Sequence, residues 1–174
     1  MHRPQLEHLI RAAAAITGAD RFVIIGSQAI LGQFPSAPDD LLASIEADMF
    51  AERSLADADL IDGSIGEGSP FHQTFGYYAH GVGEETAVLP GGWRERLVPL
   101  KSENTGGGIG LCLEVHDLAF SKLVAGREKD LAFVGALLRH RLAHSEVIEQ
   151  RLSSSPLTEE LRAICRGRLE RLNK

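Results

Sequence analysis

Apolar side chains recur at helical spacing at Leu6, Leu9, Ile10, Ala13, Ala14 and Thr17, which predicts a helix over residues 4–17 with Gly18 as its stop. Residues 22–25, Phe-Val-Ile-Ile, form an unbroken apolar run that reads as a buried strand ending at Gly26. Ser27 follows, placed to cap a short helix over 27–31. Beyond a Pro- and Asp-rich loop (34–40) the pattern becomes an alternation over 44–50. Ile45, Ala47 and Met49 share one face of that strand, and Ser44, Glu46 and Asp48 share the other.

The middle of the chain is less regular. Residues 55–61 suit a helix and 63–70 a Gly/Ser loop, while 75–82 and 86–89 read as strands paired around a Gly83-Glu84-Glu85 turn. Further strands are expected over 96–100 and 111–115, the latter after a flexible glycine turn at 106–110, with Leu111 and Leu113 alternating with Cys112 and Glu114. From His116 onward the period is helical. Asp117 is expected to cap a helix over 118–125 that Gly126 ends. Leu131, Val134, Leu137, Leu138 and Leu142 give the next helix (128–142) its apolar face. A helix over 145–152 and a basic amphipathic helix over 158–172 follow. The order of helix, mixed strands and then helices implies an α+β fold: a mixed sheet flanked by helices, with a C-terminal helical segment. The expected division is one domain over residues 1–143 and a helical extension over 144–174 packed on it.

Composition narrows the function classes. A chain of 174 residues buries roughly 70% of its unfolded surface and needs no covalent staples. Its two cysteines, Cys112 and Cys165, form no CxxC pair, which suits a reducing cytoplasm. The longest apolar stretch, residues 12–16, is far short of the ~20 residues of a membrane span. The expectation is a cytoplasmic protein with no membrane partner. With 18 Lys+Arg against 24 Asp+Glu the net charge is −6, which argues against a coat for nucleic acid but leaves room for a small basic site.

Two features carry chemistry. A strand ending in Gly26-Ser27 opens a helix, placing backbone N–H groups and a hydroxyl where an anion can sit. Some twenty residues later Glu46 and Asp48 stand side by side on one strand face, where they repel unless a cation lies between them. Mg²⁺ is commonly held by one or two carboxylates plus substrate phosphates, so the pair suits a metal–nucleotide platform. A polar strand face open to solvent is an equal reading of the spacing alone.

"VIIGSQAILG" followed by "SIEADMF" resembles the opening of bacterial nucleotidyltransferases of the polymerase-β-like superfamily. The segment "DLAFSKLVAGREKDLAFV" (117–134) is similar to the helical signature of abortive-infection (AbiE-type) toxin nucleotidyltransferases. The resemblance spans residues 22–138 and rests on the order and spacing of its motifs. It implies a nucleotidyltransferase-like mixed sheet, with Gly26, Ser27, Lys122 and Arg127 binding the nucleotide and Glu46 and Asp48 binding Mg²⁺ or Mn²⁺. Lys122 would contact the nucleotide phosphates, and Asp130 would be the additional catalytic acid, taking the acceptor's proton or orienting the acceptor. A nucleoside triphosphate is the implied substrate, with an RNA, protein or small-molecule hydroxyl as acceptor and an antitoxin as partner. Two departures bear on this. Glu46 replaces Asp in the first metal position, and Glu114 rivals Asp130 as the third carboxylate. The alternative is a catalytically weakened nucleotide-binding or protein-interaction module of the same fold.

Other clusters carry less. Phe71, Phe75, Tyr77 and Tyr78 could stack a base, but strand aromatics more often pack across strands. His140 and His144 stand at i,i+4 without the glutamate of a metalloprotease helix, and Ser69, His72 and Asp62 lack a nucleophile elbow. Arg162, Arg166, Arg168 and Arg171 give the last helix a basic face, by default a solvated one, that could meet RNA or an acidic partner.

Overall fold

The computed structural model describes residues 1–54 and 56–173. Its sheet consists of β1 (Arg21–Ile24), β2 (Glu46–Ala51), β3 (Tyr78–Gly81), β4 (Val98–Leu100) and β5 (Ile109–Cys112). They lie in the order β3-β2-β1-β5-β4, so the apolar run of β1 takes the middle. Phe22, Val23 and Ile24 are fully buried, as a strand covered on both faces requires. β2 runs antiparallel to β1, with Ile24 opposite Met49, while β5 runs parallel to β1 and antiparallel to β4. β3 pairs with β2 in parallel.

Eight α-helices surround the sheet among the described residues: α1 (Arg3–Thr17), α2 (Ile30–Gln33), α3 (Asp57–Ile65), α4 (Pro70–Phe75), α5 (Val115–Ala125), α6 (Glu128–Arg139), α7 (Ser145–Ser154) and α8 (Glu159–Leu172). The architecture is thus mixed α+β with a nucleotidyltransferase-like arrangement and a C-terminal helix. Two glycine stops fall where the sequence puts them: Gly18 ends α1 at φ 73° and Gly126 ends α5 at φ 67°, in the left-handed region that glycine enters without a Cβ clash. Helices α1 and α3 pack on each other, α3 also lies on β2 and β3, and α5 contacts α6, α7 and α8. No helix is long and apolar enough to cross a membrane.

Several local expectations are corrected. Leu55 lies outside the described residues, and the helix expected from it begins at Asp57 and runs to Ile65, through residues expected to be loop. Residues 70–75 form α4, with Ser69 as N-cap accepting from the His72 N–H at 3.1 Å, which spends the serine on structure. The expected hairpin partner of β3 is absent: Glu84–Thr86 is a 3-10 turn, and β3 pairs instead with β2. Ile45 precedes β2 and is 48% exposed, rather than sharing the buried face of Ala47 and Met49. Glu114 lies beyond β5. It caps α5, accepting from the N–H groups of His116 and Asp117, and so takes the role expected of Asp117. Asp117 sits inside α5, fully buried, and accepts from Arg96 Nε (2.8 Å) and Arg151 Nε (2.9 Å). Helix α6 stops three residues early, at Arg139, and Arg141 turns away beyond it at φ 57°.

Two of the four arginines of α8, Arg162 and Arg168, are turned inward, while Arg166 is part-exposed and Arg171 is exposed. Arg168 Nη1 donates to the carbonyls of Leu123 (2.6 Å) and Val124 (3.3 Å) at the end of α5, where a cation meets the negative helix end. Arg162 donates to the carbonyls of Ser153 (3.1 Å) and Leu157 (3.1 Å), and Arg166 pairs with Glu149 at 2.7 Å. Cys112 and Cys165 are buried, and burial pushes both thiols up, Cys112 to about 12. Neither is activated.

Candidate active site

The site begins where β1 ends. The Ile25 N–H donates to the Asp48 carbonyl at 3.1 Å, extending the β1–β2 ladder and setting Asp48 beside Gly26. A Cβ built on Gly26 would fall on the Asp48 carboxylate and lie 2.9 Å from its Cγ. Gly26 is therefore required by close approach: its missing side chain is the space the carboxylate occupies. Gly26 also stands before the 3-10 turn Ser27–Ala29, without a side-chain cap bond, so the capping role expected of Ser27 is not observed. Ser27 instead lines the cleft.

Alternation along β2 buries Ala47 and Met49 and turns Glu46 and Asp48 to the other face, into a cleft of about 670 Å³. The opposite wall comes from α5 and α6, including Lys122, Arg127 and Phe133. A smaller adjoining cavity of about 320 Å³ shares Asp48, Lys122 and Arg127 and reaches Gly26 and Asp130. Gly26, Ser27, Glu46, Asp48, Lys122, Arg127 and Asp130 thus border one connected recess. Glu114 is not among them; its Oε1 lies 2.6 Å from His116 Nδ1.

Among the described residues, the acidic wall sets one imidazole, His80, against two carboxylates. Burial and the neighbouring Glu46 carboxylate push the Asp48 carboxyl up to about 6, with His80 pulling the other way. His80 reaches the pair from β3, its Nδ1 3.1 Å from Glu46 Oε1 and 3.3 Å from Asp48 Oδ1. Burial opposes its charge, but the two carboxylates outweigh that and raise its pKa. Tyr78 donates its hydroxyl to Glu46 Oε2 at 3.3 Å, and burial and that carboxylate push the phenol up to about 12. The sequence pattern marks neither residue as part of an acidic site: His80 carries no motif, and Tyr78 stands only among four aromatics that could stack a base. The available signal was the i,i+2 spacing of Tyr78 and His80, which repeats that of Glu46 and Asp48; parallel pairing sets Glu46 against Tyr78 and Asp48 against His80.

The basic wall is internally balanced. Lys122 Nζ donates to Asp130 Oδ1 at 2.8 Å and Arg127 Nε to Asp130 Oδ2 at 2.5 Å. Asp130 is only 1% exposed. Burial alone would raise its carboxyl, but Arg127 and Lys122 outweigh it and hold the group below the usual range. The Arg127 guanidinium is raised first by its hydrogen bond to Asp130, and it also responds to Asp48 and Glu46 across the cleft.

A glycine-lined strand end and two strand carboxylates thus face two cations across the cleft. Residues 4–158 match the family model described as nucleotidyltransferase of unknown function (DUF6036). The chain belongs to this nucleotidyltransferase family. No curated protein and no solved structure matches the chain. Membership in this family implies a nucleotide substrate. The expected clusters elsewhere dissolve. Phe71, Phe75 and Tyr77 pack around His8, away from the cleft, with ring centroids 4.7–6.1 Å apart. His140 binds Asp40 at 3.1 Å, while the His144 N–H donates to His116 Nε2, so the two histidines do not share a site.

Proposed function

We propose that this nucleotidyltransferase is metal-dependent and moves a nucleoside monophosphate from a nucleoside triphosphate to a hydroxyl on an RNA, a protein or a small molecule. The observation carrying this reading is the seating of the Asp48 carboxylate in the space left by Gly26, beside Glu46 and across one cleft from Lys122 and Arg127. Two adjacent carboxylates, with Asp48 lifted by burial and then by the neighbouring Glu46, fit a hard divalent cation such as Mg²⁺ or Mn²⁺. Held by Glu46 and Asp48, such a cation would offset triphosphate charge and favour departure of pyrophosphate.

In the reaction, the acceptor oxygen bonds to the α-phosphorus and gives up its proton to solvent, the bond from that phosphorus to the bridging oxygen breaks, and pyrophosphate leaves. The chain's part is positioning and charge neutralisation. Lys122 and Arg127 face the recess and neutralise phosphate oxygens. Ser27 offers its hydroxyl from the end of β1. We assign Asp130 to holding the two cations in place rather than to taking the acceptor's proton. A carboxylate engaged on both oxygens and held below its usual range is a poor base.

The AbiE-type reading, a toxin with an antitoxin partner, draws support from the meeting of Lys122, Arg127 and Asp130, which come from the segment that carries that resemblance. The test is incubation of the purified chain with each α-labelled nucleoside triphosphate and Mg²⁺ or Mn²⁺, against total RNA and total protein. Label transfer that disappears in Asp48→Asn is the expected result. Triphosphate binding without transfer under any condition would favour the weakened-module alternative, and no binding would remove both.

A further inference from the structure

The third donor at the acidic wall is a nitrogen. Parallel pairing of β3 with β2 sets His80 directly against Asp48, and one ligand atom from each of Glu46, Asp48 and His80 lies within 4.8 Å of the others. The strand that carries His80 is held closely. A Cβ on the next residue, Gly81, would run into the Ala58 backbone, so β3 packs directly against α3. The imidazole itself is 47% exposed and packs no core. The carboxylates that could have completed an all-oxygen set are committed elsewhere: Glu114 to the N-terminus of α5 and to His116, Asp130 to Lys122 and Arg127.

Resting on the metal-dependent reading above, we propose that His80 Nδ1 is the third protein ligand of the divalent site and tilts it from Mg²⁺ toward Mn²⁺ and related first-row cations. Mg²⁺ demands a near-ideal octahedron and is usually bound through carboxylates, phosphates and retained waters. Imidazole nitrogen is a softer donor that suits later first-row ions, so replacing one carboxylate by a histidine changes the preferred cation as well as the site's charge. For Nδ1 to ligate, the ring proton resides on Nε2, and the exposed edge of His80 leaves that nitrogen free to meet water. Tyr78 holds Glu46 from behind through its hydroxyl.

The test titrates the metal-free chain with Mn²⁺ alone and with Mg²⁺ alone, following Mn²⁺ by electron paramagnetic resonance and Mg²⁺ by calorimetry. Pulsed measurements on the Mn²⁺ form read nitrogen coordination directly. The expected result is tighter binding of Mn²⁺ than of Mg²⁺ and a ¹⁴N coupling that His80→Gln abolishes, with Mn²⁺ affinity falling by about tenfold or more. His80→Asp should lower the Mn²⁺-to-Mg²⁺ affinity ratio. Because the side chain is half-exposed, circular dichroism of both variants should match the parent, separating ligand loss from misfolding, while His80→Asp, which adds a third carboxylate, should melt below the parent until a divalent cation is supplied. Absence of ¹⁴N coupling in the parent, or unchanged Mn²⁺ affinity in His80→Gln, would overturn the inference. If Asp48→Asn alone abolished Mn²⁺ binding, the metal-dependent reading would stand without His80 as a ligand. Failure of the parent to bind either ion would overturn both.

Discussion

Asp117 and Asp48 are two carboxylates drawn into the fold and treated in opposite ways. Asp117 is fully buried inside α5, and each of its oxygens accepts from an arginine, one preceding β4 and one on α7. Asp48 is 29% exposed, lies beside another carboxylate, and among the described residues has only an imidazole as a basic partner. The first arrangement is complete in itself and ties three segments of chain together. The second carries negative charge that the chain leaves under-neutralised, facing a recess. Asp130 stands between the two cases: it is satisfied like Asp117, yet its partners Lys122 and Arg127 line that recess. What separates support from site is which charges the protein balances internally, since net charge and carboxylate count are blind to it.

The widest separation is expected from Asp48→Asn. Nucleotidyl transfer should fall by about 10³-fold, the scale of losing a group that organises transition-state charge. Stability of the chelator-treated protein should rise by on the order of 2 kcal/mol at pH 7. The sign follows from the raised carboxyl: the unfolded chain ionises Asp48 near its ordinary value, 3.8, while the native chain resists until about 6. Native stability is therefore lost as pH rises between those values, and the gain from asparagine should be full above pH 6 and fade toward pH 4 in urea titrations. Asp117→Asn should do the reverse, costing about 3 kcal/mol by leaving two guanidinium groups unpaired while leaving transfer per folded molecule unchanged. If its activity collapsed with the fold intact, the contrast between the two aspartates would break.

A smaller effect is expected from Gly26→Ala, because the new Cβ must displace the Asp48 carboxylate. Transfer should drop by about 10²-fold, the scale of a 1 Å misplacement, with circular dichroism unchanged. The smallest comes from Arg166→Ala, which removes a pair with Glu149 that is about 40% exposed on both sides. Its cost should stay under about 0.5 kcal/mol by chemical denaturation, marking the floor for an ion pair open to solvent.

The acidic pair and the glycine at the strand end were legible in the chain as local patterns read against a fixed period, whereas Lys122 and Arg127 were marked only by the resemblance to abortive-infection toxin nucleotidyltransferases. Glu46 and Asp48 share a face by alternation alone. Gly18 and Gly126 end helices because a left-handed residue is needed at those points. The errors lie where a residue's role depends on a distant partner. Glu114 continues an apparent strand alternation, yet it is spent on capping α5. Asp117 has the residue type and position of a cap, but Arg96 and Arg151 claim it from 21 residues before and 34 residues after. Residues 75–82 look like half of a hairpin because glycine and charge follow them; the partner strand lies some thirty residues upstream and runs in the same direction.

By itself, then, the sequence determined the α+β order, the faces of β1 and β2, two glycine stops and a carboxylate pair suited to a cation, since periodicity and backbone sterics act over a few residues. Only the tertiary structure decided that β3 lies parallel to β2, that His80 and Tyr78 join the acidic wall, and that Asp130 is bound to the cations across the cleft. Strand order and charge satisfaction are settled by burial and by contacts between residues far apart in the chain, and no local pattern encodes which of several carboxylates will find an arginine.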